Sequence, residues 1–206
     1  MGSSAARIGA CVGILAVLSL LYGVRATATW NGGRYFEYLT NWWWSCLLLW
    51  ISATIACFTV LPVRHYVLAI GEPIVVAWSV MVFLTITLVL SLGDESALDE
   101  AREKQLSTGE IMGAEKATHT VPFLLVIAFC ALVGADRFRQ AKGYVNEVYG
   151  PWPLPIAWVL VLASVFLIYV SAFTPEQVYQ TSIEWVIIAP ISSVVTLAVL
   201  VVFYFV

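Results

Sequence analysis

Two short segments hold the residues best suited to chemistry: Tyr38-Leu39-Thr40-Asn41-Trp42 and Thr118-His119-Thr120-Val121-Pro122-Phe123. Each lies at the head of an apolar run. A threonine hydroxyl beside an imidazole is the smallest set that performs nucleophilic acyl transfer. The histidine takes the hydroxyl proton as the oxygen attacks an acyl carbonyl, then returns it to the leaving group. Glu184, opening another apolar run, is a candidate third member that would orient His119. Each of these residues also has a plainer reading. Threonine at a helix start is often an N-cap, a lone interfacial histidine often bonds a neighbouring helix, and a carboxylate at a span end is often only interfacial.

The elements that would position these groups are apolar. The chain has 206 residues, 61% hydrophobic and 11% charged, with a mean hydropathy of +0.91. Soluble globular domains are far more polar. A membrane-spanning helix needs about 20 mostly apolar residues. Five stretches meet that length: Ile8 to Gly23, Asn41 to Leu61, Ile74 to Leu92, Pro153 to Phe173 and Ile183 to Val206. A sixth, His119 to Ala135, is shorter but unbroken by charge. Lipid offers the backbone no hydrogen-bond partners, and the alternation of a membrane barrel is absent, so helices are expected. The expectation is an all-α polytopic integral membrane protein, with about six transmembrane helices in one bundle and a single domain over 1–206.

Arg7, the apolar run after it and Ala26-Thr27-Ala28 have the layout of a cleavable secretory signal. We expect the segment to be retained as a first spanning helix. Ala6 stands where a myristoylation signal wants Ser or Thr. With six spans, Thr40, His119 and Glu184 begin their helices on one membrane face, so Thr40 and His119 would share a depth. Lys and Arg divide five against five between the faces, which leaves the orientation open. Between the third and fourth spans, 93–118 reads as a polar loop. Asp94 to Leu106 within it is expected to form a short interfacial helix, with Ser96 and Asp99 at capping-box spacing. Pro62 and Pro73 are expected to bracket a short turn, and Gly150, Pro151, Pro153 and Pro155 a rigid start to the fifth span. Trp42, Trp43, Trp44, Tyr149 and Trp152 fit aromatic belts.

Cys11, Cys46, Cys57 and Cys130 lie inside apolar runs without paired spacing, so neither a disulfide framework nor a metal site is expected. His65 falls on the face opposite His119, which argues against a haem shared between them. No cofactor is expected. A net charge of -3 with scattered basic residues excludes a nucleic-acid surface. Membrane lipids are the expected partners.

The segments around Thr40 and His119, together with Tyr149-Gly150-Pro151-Trp152-Pro153-Leu154 and Arg64-His65-Tyr66-Val67-Leu68-Ala69-Ile70, resemble blocks of the androgen-induced-protein family. Its relatives include the rolling-stone proteins and the androgen-dependent regulator of tissue factor pathway inhibitor. The blocks occur in the family's order, from Tyr35 to about Trp158. The resemblance implies a multispanning hydrolase of fatty acid esters of hydroxy fatty acids. Its active-site threonine would be Thr40 and its histidine His119. Two features depart from the family's pattern. The long polar loop follows the third span rather than the second, and Asn146 and Glu147 stand near where a histidine pair precedes the aromatic-proline block.

Two functions from different classes follow. One is a lipid-ester hydrolase acting on an amphiphilic substrate. The other is a non-catalytic accessory subunit that keeps the fold and binds other membrane subunits. A transporter is disfavoured because the predicted spans contain no ionisable residue near the middle and the chain has no internal repeat.

Overall fold

The computed structural model describes residues 4–31, 35–58, 60–91, 108–173 and 185–206. Seven α-helices account for nearly all of them: α1 (Ser4–Asn31), α2 (Leu39–Ala56), α3 (Leu61–Ser91), α4 (Thr108–Val133), α5 (Ala135–Tyr149), α6 (Pro153–Ala172) and α7 (Trp185–Phe205). A single 3-10 turn, Tyr35–Glu37, precedes α2. The fold is an all-α bundle, and no strand occurs among the described residues. Six apolar helices occupy the regions of the six predicted segments, but the expected count of about six spans is met only in part. Among the described residues three helices contain stretches long and apolar enough to cross a membrane, Ala5–Thr27, Pro62–Thr85 and Pro153–Ala172. The bent pair Thr118–Val133 and Ala135–Tyr149 would make a fourth.

Contacts along the helices fix their directions. Arg25 meets Thr40 and Asn41 where α1 ends and α2 begins. Trp43 donates to Ser79 while Trp50, further along α2, donates to the carbonyl of Val67, so α3 runs against α2. Phe83 stacks on Phe123, and Thr85 bonds Ser192, placing the heads of α4 and α7 at that same end. At the other end Tyr66 meets Tyr149, and Lys142 meets the last carbonyls of α7. The apolar helices therefore alternate in direction, as a multi-pass chain requires.

Packing makes α3 the hub. It touches α2, α4, α5, α6 and α7, while α1 packs on α2 and α4, so α1, α2, α3 and α4 close into a ring. From Glu72 to Ser79 every residue of α3 is buried, which suits a helix that is apolar around most of its circumference. By contrast α6 buries only Leu154, Trp158 and Tyr169 and exposes Ile156, Leu160, Leu167 and Ile168. Such a surface is adapted to lipid rather than water.

Three expectations need correction. Pro62 and Pro73 do not bracket a turn, because α3 runs continuously from Leu61 to Ser91 with Pro73 inside it. Proline has no N–H, so the carbonyl of Ala69 loses its usual donor four residues on. The indole of Trp158 on α6 supplies one instead, at 2.9 Å. The continuous helix also places Glu72 within the span, with only 6% of its surface exposed. The premise that the spans hold no central ionisable residue therefore fails. Finally, α4 begins at Thr108 rather than His119, so the last part of the predicted polar loop is helical. The expected interfacial helix from Asp94 to Leu106 lies outside the described residues.

After α4 the chain turns into a polar helix, α5, that carries Arg137. Gly134, at φ 91°, allows a 74° bend between α4 and α5 that a side chain would resist. Phe138, Ala141 and Val145 form the buried face of α5. Lys142 donates to the carbonyls of Phe203 and Tyr204 at 3.3 and 2.7 Å. A cation at the end of α7 complements the negative pole of that helix.

Candidate active site

The head of α2 is built by packing rather than by capping. Tyr38 precedes the helix in an extended conformation and makes no side-chain cap bond. Its carbonyl accepts the Asn41 N–H at 2.9 Å. Thr40 is therefore inside the first turn, and the N-cap reading of its hydroxyl does not hold.

Thr40 is buried, with 6% of its surface exposed. Its Oγ1 accepts a hydrogen bond from Nη2 of Arg25, while Nε of the same guanidinium donates to Oδ1 of Asn41 at 2.8 Å. The other end of the Asn41 amide donates to the Tyr35 carbonyl, also at 2.8 Å. Arg25 thus holds two adjacent residues of α2 with one fork, a geometry that a lysine ammonium cannot copy. Because Thr40 is the acceptor, its own proton remains available to a base. Around this fork, Tyr22, Tyr35 and Ser45 join their hydroxyls, and Ser45 returns a bond to the Asn41 carbonyl at 2.9 Å.

His119 is also buried, with 3% exposed. Its Nδ1 shares a 3.0 Å hydrogen bond with Oγ1 of Thr118. α2 and α4 both oppose α3, so they run parallel. They lie across the ring from one another, and Trp50 meets Phe129 there with ring centroids 5.2 Å apart. Thr40 and His119 each precede that contact by ten residues, about 15 Å along each helix. They therefore share a depth at one end of the bundle. Among the described residues no direct hydrogen bond joins them. Glu184 lies outside the described residues. His65 sits at the opposite end, its ring 4.7 Å from that of Tyr144.

Arg25 is the functional candidate that sequence reasoning missed. In the sequence it is a lone charge after the first apolar run, on the face where Thr40 begins its helix. Asn41 was visible only as part of the Thr40 segment. An apolar groove of about 420 Å³ runs between Trp152, just before α6, with Ile156 and Leu160 of α6, and Leu197, Val201 and Tyr204 of α7. It lies away from Thr40, towards the end marked by Lys142. No cluster of His, Cys, Asp and Glu suited to a metal occurs among the described residues.

The fork makes a stability prediction. Arg25→Met should leave Thr40 and Asn41 without their charged donor and lower stability by about 1.5 to 3 kcal/mol, the usual range for hydrogen bonds to charged groups. Thermal unfolding of the purified protein in detergent would measure it. An unchanged midpoint would mean that the fork contributes nothing.

Compared with known protein families, curated proteins and solved structures, the chain matches none.

Proposed function

We propose that the chain is a multi-pass membrane protein that hydrolyses a fatty acid ester. Thr40 acts as nucleophile, His119 as general base and Arg25 as electrostatic stabiliser. The observation that carries this reading is a buried threonine hydroxyl that accepts from a guanidinium at the depth of a buried histidine. The resemblance of the Thr40 and His119 segments to the androgen-induced-protein family supports the same assignment.

The chemistry proceeds in two halves. Thr40 Oγ1 attacks the ester carbonyl while its proton passes to His119. The carbonyl oxygen gains negative charge beside Arg25, where a fixed cation in a desolvated site has a large effect. As the ester C–O bond breaks, His119 protonates the leaving alcohol. Water then attacks the acyl-threonine, again with His119 as base, releasing the fatty acid and restoring the hydroxyl. The acyl chains of the substrate lie among lipid, with the ester near the membrane surface.

Purified protein should turn over a long-chain ester, and an acylating probe should form its adduct on Thr40, located by mass spectrometry of the digested chain. An adduct elsewhere, or none with full-length folded protein, would count against the assignment. The second reading is a non-catalytic accessory subunit. It draws on the large exposed apolar surface of α6. Its signature would be co-purification with other membrane chains in fixed stoichiometry and no esterase activity.

A further inference from the structure

We propose that the end of the bundle opposite Thr40 binds the phosphate of an anionic phospholipid headgroup, held by Arg64 of α3 and Arg137 of α5 with Arg7 of α1 beside them. The proposal rests on the membrane reading of the chain but not on its hydrolase chemistry.

Both arginines converge on Phe58, in the link between α2 and α3. Arg64 donates through Nη1 to the Phe58 carbonyl at 3.0 Å. The Arg137 guanidinium lies over the Phe58 ring, 4.3 Å from its centroid. This anchoring leaves Nε of Arg64 and Nη1 of Arg137 buried and without a hydrogen-bond partner among the described residues. Both arginines are only half-buried, but an N–H shielded from water and left unpaired is costly, and such groups call for an acceptor.

No described carboxylate supplies one. Asp136 pairs with Arg139 at 3.0 Å and is 89% exposed, and Glu147 is exposed. The positive charges also act on one another. Arg64 and Arg7 both lie close enough to Arg137 for their charges to repel its guanidinium. An anion between them would relieve both the repulsion and the missing bonds. The planar fork of arginine matches the oxygens of a phosphate, which can accept two parallel bonds.

The position selects a lipid as the source of that phosphate. Arg7 lies in the first turns of α1, just before the exposed apolar residues Val12, Val17 and Leu20. Arg64 opens the long apolar helix α3. Basic residues at the ends of lipid-length helices stand at headgroup level, and basic pockets between such helices bind anionic headgroups.

Native mass spectrometry of the full-length protein in mild detergent tests this. Phosphatidylglycerol, phosphatidylcholine and inorganic phosphate would be offered in separate titrations. Preferential retention of phosphatidylglycerol is expected. Arg64→Gln and Arg137→Gln should each weaken it about five-fold, the effect expected for one basic residue at an anionic surface. Arg139→Gln, on the exposed and paired residue, should leave retention unchanged. Equal retention of the two lipids would overturn the proposal, and that comparison needs no variant. Binding of inorganic phosphate as tight as that of phosphatidylglycerol would also overturn it, in favour of a free-anion site. Failure of the wild-type chain to enter bilayers would instead reject the membrane reading.

Discussion

Ester turnover by Thr40→Ala is expected to fall by about 1,000-fold or more, because loss of a covalent nucleophile leaves only binding and electrostatic stabilisation. His119→Ala should fall by about 100-fold to 10,000-fold, the range for a positioned general base. Combining the two should add little, since residues acting in one proton transfer are not additive. Thr40→Ser keeps the hydroxyl and should retain a measurable part of the rate. The fold should survive Thr40→Ala, because Arg25 keeps its bond to Asn41. Single-turnover assays with a chromogenic long-chain ester, alongside circular dichroism of each variant, would read both. Wild-type turnover in a folded Thr40→Ala protein would sink the catalytic assignment.

Gly71→Ala should lower stability by about 1 to 3 kcal/mol, as overpacking of a tight core does. A methyl group at that position would come within 2.3 Å of Cδ1 and 2.7 Å of Nε1 of Trp50. The indole cannot simply swing aside. It is buried, donates to the Val67 carbonyl at 3.2 Å and packs edge-on against Phe129. Gly143 provides the contrast, with no atom within 4 Å of an added methyl and an exposed position within α5. Gly143→Ala should leave stability unchanged or raise it by up to about 1 kcal/mol through helix propensity. Denaturant unfolding of the two variants would separate the effects. Equal midpoints would show that α2 and α3 approach less tightly at Gly71 than the geometry requires.

Much of the architecture was legible because the apolar runs are long and their number sets their directions. The shared depth of Thr40 and His119 followed from that alternation. The start of α3 was not legible, because Pro73 normally ends a helix in water. Inside a bundle the same residue is tolerated when another side chain supplies the missing donor, and nothing local to Pro73 announces Trp158. That boundary error also hid Glu72. α5 was readable in principle from the spacing of Phe138, Ala141 and Val145, but its charges resemble those of a loop. Arg25 illustrates a different limit. Its bonds to Thr40 and Asn41 depend on how α1 and α2 pack, which hydropathy does not encode.

The substitute bond at Ala69 has a consequence for biogenesis. Its donor, Trp158, is made 89 residues after its acceptor. On the membrane reading proposed above, α3 would enter the bilayer during synthesis without this donor for the Ala69 carbonyl until α6 arrives. In hydrocarbon that carbonyl needs water or a temporary donor. Insertion on that reading would couple α3 to α6, since the third helix gains its Ala69 donor only when the helix after the α5 bend has docked against it.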